Sequence, residues 1–161
     1  MTLLSALAIV IAGTGACSET SDPVRGPVPT EPTTAPPPTQ PGVTALKARL
    51  SGKSVVPGPG ALSGSGTATL SLNVAAARVC YELTVRNVDP VTAASVFTGP
   101  AGALGPATIP LEPPEDDNTS SGCVDVPKGI LESIIANPAG FYVSVSNVQF
   151  PEGALRAQLA V

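Results

Sequence analysis

Apolar and polar residues alternate with a period of two through most of the chain beyond Thr44. Residues 45–50 set Leu46, Ala48 and Leu50 on one face, with Lys47 and Arg49 opposite. Residues 67–74 turn Ala68, Leu70, Leu72 and Val74 inward against Thr67, Thr69, Ser71 and Asn73. Residues 78–85 do the same with Val79, Tyr81, Leu83 and Val85, and residues 141–145 and 155–161 repeat the pattern. Such alternation predicts strands with one buried and one wet face. Turn-forming runs separate them: Pro57-Gly58-Pro59-Gly60, Asn87-Val88-Asp89-Pro90 and Pro151-Glu152-Gly153. Residues 128–137 differ. Ile130, Leu131, Ile134 and Ile135 follow helical spacing, with Pro127 near the start and Asn137-Pro138 at the stop. The expected architecture is all-β, an antiparallel Greek-key-like sandwich or barrel with one short helix whose apolar face caps the open end of the sheet.

The first 43 residues carry no such alternation. Leu3 to Ala16 is an apolar run fading into Gly13-Thr14-Gly15-Ala16, followed by Cys17. Its 14 residues are short of the roughly 20 that span a bilayer and fit the apolar centre of a signal peptide. Small residues followed by a cysteine are how a bacterial lipoprotein begins, so residues 1–16 read as signal peptide and Cys17 as the lipid-bearing residue. Thr14 is atypical of that site, and no Lys or Arg precedes Arg25. Ordinary secretion, with cleavage after the same Ala16, is the alternative. Residues 18–43 carry Pro23, Pro27, Pro29, Pro32, Pro36, Pro37, Pro38 and Pro41 with threonines between. Proline fixes φ and removes donors, so this stretch is expected to be a disordered polyproline-type linker. At ~3.1 Å per residue it could extend roughly 80 Å. The organisation is therefore 1–16 signal, 17–43 anchor and linker, and 44–161 folded domain.

Composition narrows the chemistry. The domain has seven basic and nine acidic side chains, with no basic stripe. Nucleic-acid binding lacks its electrostatic footprint, and charge-driven binding to anionic lipid lacks it equally. The 161 residues contain no histidine, which removes the commonest metal ligand and the commonest general base near neutral pH. No cofactor is expected. With Cys17 assigned, Cys80 and Cys123 remain, and outside the cytoplasm they are most simply a disulfide joining neighbouring strands, or a strand to a loop. A redox-active pair is the alternative, but the 43-residue separation lacks the CxxC geometry that tunes a reactive thiol.

The domain resembles the CHRD family, first described in chordin and common in bacterial secreted proteins. Leu46-Lys47-Ala48-Arg49-Leu50-Ser51-Gly52 leading to Ser54-Val55-Val56-Pro57 is similar to the family's opening strand. Gly64-Ser65-Gly66-Thr67-Ala68 and Val79-Cys80-Tyr81-Glu82-Leu83-Thr84-Val85 resemble its next two strands. Phe97-Thr98-Gly99-Pro100-Ala101-Gly102-Ala103-Leu104-Gly105 resembles its glycine turn, and Pro151-Glu152-Gly153-Ala154-Leu155-Arg156-Ala157-Gln158-Leu159 its most specific closing motif. The likeness covers nearly all of 44–161. Where the family has histidines before the glycine turn and in the Tyr-containing strand, this chain has Ser95, Phe97 and Ser146. The family's pattern invites comparison with copper/zinc superoxide dismutase barrels; here a histidine metal site is excluded. Glu112, Glu115, Asp116 and Asp117 form an acidic loop without the spacing of a dedicated calcium site.

Two readings of function follow. The first is a membrane-tethered, non-catalytic binding or structural module of the cell envelope, with the membrane and an envelope protein or glycan as partners. Its candidate surface comprises Ser95, Phe97, Gly99, Gly102, Gly105 and Ser146, where the family's histidines would converge. The second is a divergent dismutase-like enzyme or another secreted enzyme. Ser95, Ser146 and Asp125 exist, but without histidine a serine nucleophile needs a lysine or carboxylate base, and Lys128 is the only lysine of the later half.

Overall fold

The computed structural model describes residues 42–161 except 89 and 116. The expected signal peptide at 1–16, Cys17, nearly all of the expected linker and Asp116 of the acidic loop lie outside the described residues.

The described residues form eight strands, most of them where apolar residues recur at every second position. In order these are β1 (Val43–Ser51), β2 (Ser65–Asn73), β3 (Arg78–Arg86), β4 (Val91–Thr98), β5 (Ala107–Leu111), β6 (Thr119–Asp125), β7 (Phe141–Asn147) and β8 (Leu155–Gln158), with helix α1 (Lys128–Ala136) between β6 and β7. All pairings are antiparallel, and the sheet order is β5-β4-β7-β8-β1-β2-β3-β6. The β3–β4 and β6–β7 connections each join strands that are not neighbours, which is the Greek-key crossing expected of this class.

The sheet curls until its two edges nearly meet. At this seam the link is a side chain rather than a ladder. Tyr81 Oη accepts the Glu112 N–H at 2.9 Å, and Ser120 Oγ donates to the Glu112 carbonyl at 2.7 Å. Glu112 follows β5, Ser120 belongs to β6, and Tyr81 is only 5% exposed on β3. Tyr81→Phe should therefore leave the Glu112 N–H without its acceptor and cost about 1 kcal/mol. Faster amide exchange at Glu112, with the β1–β2 pairing unchanged, is the expected signature. Unchanged exchange at Glu112 would show that the hydroxyl does not hold the seam.

The inward phases are those that the alternation predicts. Leu46, Leu70, Leu72, Val79, Leu83 and Val85 are fully buried in one core. Helix α1 adds Leu131 and Ile134 to that core, with Ile130 and Ile135 packed partly against it. Burying a leucine of this kind is worth roughly 2–3 kcal/mol relative to leaving it exposed. The pattern does not predict β4 and β5. In β4 the alternation of buried Ala94 and Val96 is obscured by Phe97, an aromatic on the outer phase. In β5, Pro110 argues against a central strand, and β5 is an edge strand, where a missing N–H is tolerated.

Cys80 and Cys123 form a disulfide. They are opposite each other in the β3–β6 register, on the outer phase of both strands. The bond thus joins neighbouring strands, the first of the two placements expected.

Candidate functional site

The outer face of β4, β7 and β8 departs from simple alternation. Tyr142 and Arg156 occupy outward phases, yet they are 3% exposed each. A loop covers them. Residues 99–106, between β4 and β5, fold back over this face, with Gly102 at a φ of +80° that L side chains rarely adopt. Gly105 passes so close to the Thr98 carbonyl that a Cβ would overlap it, which fixes a glycine there.

Arg156 is the pin. Its Nη2 donates to the carbonyls of Pro100 at 3.1 Å and Ala103 at 2.6 Å. Gln158, next on the same side of β8, donates to the Gly99 carbonyl at 2.7 Å and to the Ala139 carbonyl. The guanidinium carbon lies 3.6 Å from the Tyr142 ring centroid, a cation–π contact. Tyr142 in turn stacks on Phe97, with centroids 5.2 Å apart and planes 7° from parallel, and its hydroxyl accepts the Gly105 N–H at 3.3 Å. Phe97 and Tyr142 are cross-strand partners in the β4–β7 register, so the stack follows from the pairing itself.

Beside this stack lies a cleft of about 310 Å³, lined by Val55, Val56, Phe97, Leu104, Gly105, Tyr142, Ser144, Ser146, Pro151, Glu152 and Arg156. Of the six residues expected to form a surface, Phe97, Gly105 and Ser146 line it. Gly99 is buried near the Tyr142 ring, while Gly102 is exposed at the crest of the turn. Ser95 lies between Ser144 of β7 and Pro110 of β5 in the strand registers and does not line the cleft. Tyr142, Ser144 and Arg156 were not legible as site residues. Arg156 sits at a polar phase of a short strand and reads as solvent-facing, and only the glycine turn signals that a backbone approaches there.

The other polar groups are spent elsewhere. Asp125 pairs with Arg78 at 2.7 Å on the outer face of β3 and β6, and neither it nor Lys128 lines the cleft. Hydrogen bonding and charge from Arg78 hold the Asp125 carboxyl below its ordinary range. A depressed acid stabilises the fold above its unfolded titration range, and that contribution is lost as pH falls through the folded value; solvent screening keeps it small here. Asp117 is lowered by its hydrogen bonds to the Thr119 hydroxyl and N–H, at 2.7 and 3.1 Å, within its own turn. Among the described residues no three His, Cys, Asp or Glu side chains come together as a metal site, and no helix is long and apolar enough to cross a membrane.

A family model, the CHRD domain, matches residues 46–159. No curated protein and no solved structure matches the chain.

Proposed function

The chain belongs to the CHRD domain family, and from that premise we propose that it works as a membrane-tethered, non-catalytic binding or structural module of the cell envelope, presenting the cleft over β7 and β8. The family suggests an extracellular binding or structural module, and the Cys80–Cys123 disulfide is consistent with an oxidising compartment. The observation that carries the binding role is the construction of the cleft. An aromatic stack, a buried guanidinium and a glycine turn are bound to one another by side-chain contacts, on rigid strands, beside an open concave surface. Clefts with mostly apolar walls and a few convergent polar groups are the common form of a ligand site. The cleft offers serine hydroxyls, a guanidinium and the Glu152 carboxylate, and the Ser144 hydroxyl donates to the Leu155 carbonyl rather than to a base, which favours binding over acyl or hydrolytic chemistry.

The tether is supported by the order of the N-terminal sequence, with signal-like residues 1–16, Cys17, and a proline-threonine linker long enough to lift the domain clear of a membrane. Cells grown with an alkyne analogue of palmitate should label the wild-type protein, and labelling should fall to background in Cys17→Ala. Equal labelling of both proteins would remove Cys17 as the anchor.

A further inference from the structure

We propose that the cleft over β7 and β8 binds a small carboxylate with an apolar tail, one oxygen of which accepts a hydrogen bond from Nη1 of Arg156. The proposal rests on the reading of this domain as a binding module and names the chemistry of its ligand. Arg156 is 3% exposed, and its Nη1 is buried without a hydrogen-bond partner. Nη2 is committed to two carbonyls, so the cation is solvated on one side only. A guanidinium stays charged in proteins, and a buried charge is ordinarily paired with an opposite one. Among the described residues the one ion pair is Arg78–Asp125, and no carboxylate pairs with Arg156. The charge of Arg156 is therefore met by carbonyl dipoles and the Tyr142 ring face alone.

An anionic oxygen supplies what the site lacks. Charge-assisted hydrogen bonds are roughly twice as strong as neutral ones, and a donor that is already buried has no further desolvation to undergo. The Ser146 hydroxyl lines the same cleft and can give a second bond, Val55, Val56, Leu104 and Phe97 provide apolar walls, and Glu152 is the one carboxylate of the lining, exposed at its rim and not paired with Arg156. With Nη2 occupied, Arg156 offers a single remaining nitrogen at the end of its fork, which suits one carboxylate oxygen better than the several oxygens of a phosphate. Nη1 is closed to solvent, so entry requires the wall to part. The residues flanking the cleft at Leu104 and at Pro151-Glu152 are loop residues, and Leu104 is 62% exposed.

The test is a ¹H–¹⁵N NMR titration of the full chain in detergent micelles with sodium isovalerate, its neutral amide isovaleramide, and sodium phosphate. Isovalerate should saturate and shift the Arg156 side-chain and Gly105 signals, with isovaleramide at least about tenfold weaker and phosphate weaker than isovalerate. Arg156→Gln should abolish the response. Because that variant also unpins the turn, Ser146→Ala supplies the second arm; it should fold normally and bind isovalerate several-fold more weakly. Equal binding of acid and amide, tighter binding of phosphate, the absence of saturation, or an unaltered affinity in Ser146→Ala would each overturn the proposal. Failure here with acyl labelling of Cys17 intact would discard the ligand class and leave the tether standing.

Discussion

Replacing Cys80 and Cys123 together with alanine is expected to cost about 4 kcal/mol of stability by the chain-entropy treatment of a loop of this length. For a domain of this size that corresponds to a fall in Tm of roughly 15 °C. The bond closes a loop with a sequence separation of 43 and ties β6 to β3. β6 has a ladder partner on one side only, since its other edge faces the seam that Tyr81 and Glu112 bridge. The disulfide therefore restrains the strand with the weakest lateral support. Cys80 is half-buried and Cys123 exposed, so the substitution opens little cavity. The loss should arise almost wholly from the greater freedom of the unfolded chain rather than from packing. Chemical denaturation of the double variant against the oxidised wild type measures it; a loss below about 1 kcal/mol would show that β6 is held by its ladder alone.

Arg156→Met is the second large effect, expected at about 3 kcal/mol. The methionine keeps much of the apolar stem but removes every donor. The Pro100 and Ala103 carbonyls then lose their partner, and Tyr142 loses the cation on its face. Arg78→Ala is the informative contrast. Arg78 and Asp125 are 52% and 72% exposed, and an exposed pair of that kind contributes little. Both arginines are strand residues at polar phases, so a scale based on residue type and strand position would rank them alike. Burial separates them. Thermal melts of the two variants should show a large drop for Arg156→Met and almost none for Arg78→Ala. Equal effects would mean that the turn over β7 and β8 stays in place without its pin.

The contrast also shows where the amino-acid pattern is informative and where it stops. Period-two alternation reports the inner face of a strand, because one face must be apolar for the core to form. Leu46, Leu70, Val79 and Leu83 are therefore legible, as are the helical spacing of Leu131 and Ile134 and the outer phase of the cysteine pair. The outer face carries no such constraint. Whether a polar position there meets water or a folded-back loop depends on residues far away in sequence: the pin at 156 meets carbonyls at 100 and 103. Phe97 and Ser146 could be picked out because the family's pattern differs there, and Gly105 because a glycine turn needs close approach. Arg156 and Tyr142 could not, although they hold the cleft together. β5 was hidden by Pro110, a residue that only its position at the sheet edge accommodates.

The proposed function requires a tethered domain to meet its ligand or partner through the cleft over β7 and β8. Photo-crosslinking in intact cells tests this most directly. A benzophenone amino acid at Leu104, on the rim of the cleft, is compared with one at Glu132, exposed on α1 and away from its lining. A discrete adduct is expected from position 104, absent from position 132 and diminished when Cys17→Ala removes the tether. The same adducts from both positions, or none from position 104 in a folded and correctly located protein, would contradict it.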